Sequence, residues 1–157
     1  MGSASLIASA IALILLIITA YVIVGGTIAS AEIISYAQAE QVMQQEIRMR
    51  TAIEIVGASL TMGGSPLVVQ VMNTGSEPVG SLENMDVYLA MTGAPTHSPY
   101  GSGTGTWRVV SFVPDTVHPG QLDPDEVLTI SVSYAGVTPP AWVQVTTANG
   151  VYDSAYV

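Results

Sequence analysis

The chain has 157 residues, with twelve Asp and Glu against three Lys and Arg, a formal net charge of −9 and no cysteine. A nucleic-acid surface needs clustered positive charge to neutralise phosphate, so that class is excluded. The absence of thiols excludes disulfide frameworks, thiol catalysis and Cys-ligated metal centres. The acidic balance fits a salty habitat, an acidic cell-surface setting or the solubility needs of an apolar chain equally well.

No charged residue occurs from Met1 to Ala31. Within that stretch Leu6, Ile7, Ile11, Leu13, Ile14, Leu15, Leu16, Ile17, Ile18, Tyr21, Val22, Ile23 and Val24 make an apolar run long enough for a hydrocarbon layer of roughly 30 Å at ~1.5 Å per residue. Such a helix is buried by a bilayer or by identical helices from other copies of the chain. No Lys or Arg precedes the run, so a cleaved secretory signal is not expected. Arg48 and Arg50 lie too far past Val24 for the positive-inside rule, which counts charges within about 15–20 residues of a span.

Gly25-Gly26 introduces a soft joint, after which the helical pattern resumes, with no proline before Pro66. Ile33, Tyr36, Ala37, Met43 and Ile47 recur at three- and four-residue spacings and are expected to form a packing stripe of an amphipathic stalk. Glu46 and Arg50 stand four apart in the favourable order. Residues 1–50 therefore form one helical unit on the order of 70 Å long.

At Thr51 the period changes to two. Runs at 51–62, 67–72, 85–91, 106–112, 127–134, 141–147 and 151–157 alternate and end in turn residues, among them Gly63-Gly64-Ser65, Asn73-Thr74-Gly75 and the hairpin signal Asn149-Gly150. In the run 127–134, Leu128, Ile130, Val132 and Tyr134 share one face, and Thr129, Ser131 and Ser133 the other. About seven short strands without an intervening helix predict an α+β chain: a long hydrophobic helix, then an immunoglobulin-like antiparallel β-sandwich over 51–157. The Gly/Ser/Thr/Pro-rich stretch Thr92–Gly105 is expected to be a solvent-facing loop, with His97, Tyr100 and Trp107 as candidate partner contacts.

Chemistry-bearing patterns are sparse. His97 and His118 have no second ligand at metal spacing, and Asp123-Pro124-Asp125-Glu126 is explained as turn chemistry, lacking the calcium-loop pattern. Gly101-Ser102-Gly103 and Thr104-Gly105-Thr106 resemble a phosphate loop, yet no lysine exists to complete one. No nucleophile motif occurs, so neither an enzyme, a cofactor nor a small-molecule substrate is expected.

Met1-Gly2-Ser3 opening the apolar helix, Arg50-Thr51-Ala52-Ile53-Glu54-Ile55 at the helix-to-strand passage, Asn73-Thr74-Gly75, Met85-Asp86-Val87-Tyr88-Leu89 and Asn149-Gly150-Val151 together resemble the archaeal type IV pilin-like superfamily. Within it, the F- and G-type accessory proteins of the archaellum are the nearest in pattern. The resemblance implies an archaeal cell-envelope protein, with a membrane helix and an outward sandwich. Its partners would be archaellum or surface-layer proteins, or further copies of itself. F-type proteins act as stators on the surface layer, whereas archaellins polymerise through their helices into the filament. Archaellins carry a glutamate near the start of the mature helix, and here none precedes Glu32, which favours a membrane-anchored stator over a filament subunit. Pilin-like precursors also carry a basic leader, and none precedes Ser3 here. A tethered binding domain working through the 92–105 loop is a third expectation.

Overall fold

A computed structural model describes residues 2–61, 65–136 and 138–157. Two compact units divide near Gln45. The first lies within α1 (Gly2–Arg50), a helix that runs unbroken through Gly25-Gly26. Two glycines cost it about 1 kcal/mol each relative to alanine, too little to break so long an apolar helix. Its hydroxyl side chains are satisfied locally: Ser9 donates to Leu6 O, Thr19 to Leu15 or Leu16 O, Thr27 to Ile23 or Val24 O, and Ser30 to Gly26 O. Back-bonding of this kind pairs these four hydroxyls within the helix, so they need no partner from lipid or another helix.

The second unit holds eight strands: β1 (Ile53–Leu60), β2 (Leu67–Asn73), β3 (Asp86–Ala90), β4 (Thr96–Ser98), β5 (Trp107–Val113), β6 (Val127–Val132), β7 (Trp142–Thr146) and β8 (Tyr152–Tyr156). They form two antiparallel four-stranded sheets, ordered β1-β2-β6-β5 and β4-β3-β7-β8. In immunoglobulin lettering these are ABED and C′CFG, so the topology is the one expected of an immunoglobulin-like sandwich. The inner faces alternate as strands with one wet side must. Leu67, Val69 and Val71 of β2, Leu128, Ile130 and Val132 of β6, Val87 and Leu89 of β3, and Val143 and Val145 of β7 are buried in one core. Burying each such side chain contributes about 1.5–3 kcal/mol, and every core residue lies beyond position 52. The sandwich therefore carries its own hydrophobic stabilisation.

The second sheet contains a strand that the sequence reading leaves as loop. Thr96–Ser98 pairs with β3 through Val87↔Ser98 and Leu89↔Thr96. Three residues between Pro95 and Pro99 give no readable alternation, and an edge position tolerates both prolines. β6 also stops at Val132, short of the predicted Tyr134, although Tyr134 remains buried. Met62, the end of the first predicted run, and Gly63 and Gly64 of the predicted turn after it lie outside the described residues.

Candidate assembly surfaces

Every apolar position named above from Leu6 to Val24 is between 52 % and 80 % exposed in the single chain. α1 is long and apolar enough to cross a membrane, and its candidate span is wholly unburied. Leaving that much apolar surface in water costs on the order of 25 cal/mol per Å², so it demands a lipid or protein environment. Of the predicted stalk positions, Ile47 alone is half-buried, packed in the second unit, whereas Ile33, Tyr36, Ala37 and Met43 are exposed.

The end of α1 is where the sandwich grips the helix, and three sequence motifs converge there. The turn after β2 folds over the last helical residues: Ser76 N–H donates to Arg50 O at 2.9 Å, and Thr74 and Gly75 N–H donate to Ala52 O at 2.9 and 3.1 Å. These bonds satisfy carbonyls that a helix end leaves without partners. Gly75 has no room for a side chain, because a Cβ there would press on Arg50 O and lie 2.5 Å from Ala52 N. Asn73, fully buried, fixes the turn. Its Nδ2 donates to Glu77 O and Leu122 O at 2.8 and 2.9 Å, its Oδ1 accepts from Gly75 N–H, and its own backbone pairs with Glu126 O and Asp125 N–H. From the other sheet, Asn149 at the β7–β8 hairpin donates through Nδ2 to Thr51 Oγ1 at 2.7 Å, while Thr51 Oγ1 donates to Ile47 O. Arg50 lies 3.6 Å from Glu77 and 3.7 Å from Glu46, half-exposed pairs worth under about 1 kcal/mol each. Asp153 of β8 ties the two sheets together by accepting Ile55 N–H at 2.7 Å, next to the β1 bulge.

The predicted partner loop is partly overturned. Trp107 is fully buried at the start of β5, where an inward strand position carries the large ring into the core, and so it is not a surface contact. Tyr100 packs against it edge-on, with ring centroids 4.9 Å apart, and stays half-exposed. His97 sits on β4 with Nε2 2.9 Å from Asp86 Oδ1 and its ring against Tyr88. His97 and Tyr100 share the wall of an open depression of about 420 Å³ with Glu83 and Asp86. His118, also on the surface, meets the buried Asp123 through Nδ1 at 2.7 Å, and Asp123 also accepts the His118 backbone N–H. The His118 side-chain hydrogen bond holds the Asp123 carboxyl below the usual carboxylate range. Among the described residues no cluster of His, Asp and Glu is arranged to hold a metal.

An outward aromatic row on the second sheet escaped the sequence reading. Tyr152 and Tyr156 are 64 % and 86 % exposed, with Trp142 directly opposite Tyr156 in the β7–β8 register. In Tyr152-Asp153-Ser154-Ala155-Tyr156 the half-buried positions are Asp153 and Ala155, so alternation turns the two tyrosines outward.

No family model matches the chain. An uncharacterized protein of Archaeoglobus fulgidus is 27 % identical over 157 residues, spanning 99 % of this chain and 95 % of its own length. Among solved structures, the archaellum periplasmic stator protein FlaG from Sulfolobus acidocaldarius is 25 % identical. It has a TM-score of 0.56 and covers 68 % of this chain and 99 % of its own. A chain of the archaellum periplasmic stator complex of FlaF and FlaG from the same organism is 24 % identical, with a TM-score of 0.55 and coverage of 68 % and 89 %. The chain therefore shares its fold with archaellum stator proteins.

Proposed function

We propose that this chain is a structural component of the archaellum, anchored through α1 and acting as a stator-type accessory protein. The observation that carries the reading is the joint one of an unburied apolar helix and a sandwich whose fold and a quarter of whose aligned residues match FlaG. In this reading Leu6 to Val24 lie in the cell membrane and the sandwich stands outside it, among other archaellum proteins. Support for such partners comes from the FlaF and FlaG complex, whose chain has the same fold. Pilin-like ancestry, contact with the surface layer and self-association belong to the same reading. The comparisons do not favour a filament subunit. Nothing in the described residues assembles a catalytic constellation, and the reading assigns the chain no enzymatic step.

The test is electron microscopy of sheared extracellular material, with mass-spectrometric identification of its subunits beside a detergent extract of the membranes. The chain should be found in the membrane extract with other archaellum proteins and be absent from the sheared filament. Recovery as the repeating subunit of the filament would overturn the stator reading.

A further inference from the structure

The sandwich has two ends, and the one opposite the Arg50–Ala52 junction holds a feature that neither anchoring nor assembly uses. There β2 and β5 begin and β6 ends, with Leu67, Trp107 and Val132 in register across the three strands. On the outer side of this end lies a half-open pocket of about 360 Å³, walled by the glycine-bearing 101–106 loop, Ser131, Ser133 and Arg108. That volume is at the lower end of the range for small-molecule sites, about 300–1,000 Å³. The lining is rich in hydroxyl residues, Ser102, Thr104, Thr106, Ser131 and Ser133, and holds no Asp or Glu; the Thr106 hydroxyl donates to Gly103 O at 2.9 Å. Arg108 is the sole Lys or Arg beyond Arg50, and among the described residues it forms no ion pair. A chain of net charge −9 has thus placed the one fixed cation of its sandwich in a pocket lined by hydroxyl residues and by no Asp or Glu. The loop whose glycine pattern lacks a lysine acquires a cation from the next strand instead.

We infer that this pocket binds a saccharide bearing one carboxylate, of the uronic acid class. A guanidinium fork meets a carboxylate through two parallel N–H···O bonds, which suits a singly charged planar group better than a phosphate needing several cations. The surrounding hydroxyls match the alternating donors and acceptors of a sugar ring. Ser131 stands opposite Arg108 in the β5–β6 register, is itself buried, and lines the pocket with it. The site goes beyond the stator reading and does not depend on it.

The test uses the full chain in detergent micelles, titrated with glucuronate, glucose, acetate, inorganic sulfate and a short peptide ending in a free carboxylate. Glucuronate should bind in the mM range, at least about tenfold tighter than glucose or acetate, since one charge-assisted pair is worth roughly a factor of ten. Arg108→Gln should bring glucuronate down to the level of glucose without changing the unfolding temperature or membrane retention. Acetate or the peptide binding as tightly as glucuronate would reduce the site to carboxylate capture and overturn the saccharide assignment. Stronger binding of sulfate, no saturable binding, or an Arg108→Gln variant that binds glucuronate normally would each overturn it as well. Loss of sugar binding with anchoring intact, or the reverse, separates this site from the stator reading.

Discussion

Replacing Gly75 with alanine puts a methyl carbon against Arg50 O, 2.5 Å from Ala52 N and 3.1 Å from Thr51 C. All three atoms are backbone, and none can swing aside. The φ of Gly75 lies outside the left-handed region, so conformational strain adds nothing and the cost is one of space. Relief requires the turn to retreat from the helix end, weakening the bonds from Ser76 to Arg50 O and from Thr74 and Gly75 to Ala52 O. Each is worth about 1 kcal/mol net, so their partial loss costs about 2 kcal/mol together, and overpacking adds about 1–3 kcal/mol, for a total of roughly 3–5 kcal/mol. For a sandwich of this size that corresponds to a fall in unfolding temperature of roughly 15–25 °C. Thermal unfolding of the full chain in micelles, followed by the fluorescence of the buried Trp107, reads the change. Gly57→Ala is the internal control, because its Cβ meets only the mobile Gln70 Oε1, at 2.9 Å, and should cost less than about 1 kcal/mol. A Gly75→Ala protein melting within about 3 °C of the Gly57→Ala protein would refute the close-approach argument.

Asn73→Ala removes the donor to the part-buried Glu77 carbonyl and one of two donors to Leu122 O, which keeps Val79 N–H, and should cost about 1–3 kcal/mol, measured by chemical denaturation. Asp123 has its folded pKa held below the ordinary carboxylate value, so it adds stability that is present above about pH 4 and lost as pH falls through the folded value. Asp123→Asn should flatten that acid limb in a series of urea midpoints, and His118→Gln should flatten it in part; an unchanged limb in both variants would dismiss the pair as its source. Ile14→Lys, an uncompensated charge near the centre of the apolar run, should impair insertion by ~3 kcal/mol and release the chain from alkaline-washed membranes.

Elements governed by local rules were legible in the sequence. The end of α1 at Arg50 and the change of period at Thr51 follow from side-chain spacing alone, and Asn149-Gly150 announces its hairpin through the positive φ that Gly150 adopts. The inward set of Leu128, Ile130 and Val132 follows from alternation. What alternation could not give was depth. Trp107 sits beside a glycine-rich loop and reads as surface, yet its place opposite Val132 drives it inward. The run 151–157 reads as a strand without showing which face is buried; in the fold β8 turns Asp153 and Ala155 inward, and Asp153 takes the Ile55 N–H of β1. The convergence at the helix end was out of reach for the same reason. Asn149 and Thr51 are 98 residues apart, and each motif is complete as a local turn or helix end without the other.

The double grip on Arg50–Ala52 has a mechanical meaning. Tension entering the sandwich through these residues meets the Ser76, Thr74 and Gly75 bonds on one sheet and the Asn149 bond on the other. It therefore loads them side by side rather than in sequence. Bonds strained together share a pull, so none can be peeled away while its neighbours rest, and the Asp153 link keeps β1 from shearing off alone. Under forced unfolding, where survival is set by the rate of rupture rather than by equilibrium stability, such a junction lengthens the time the sandwich holds against a pull on its helix.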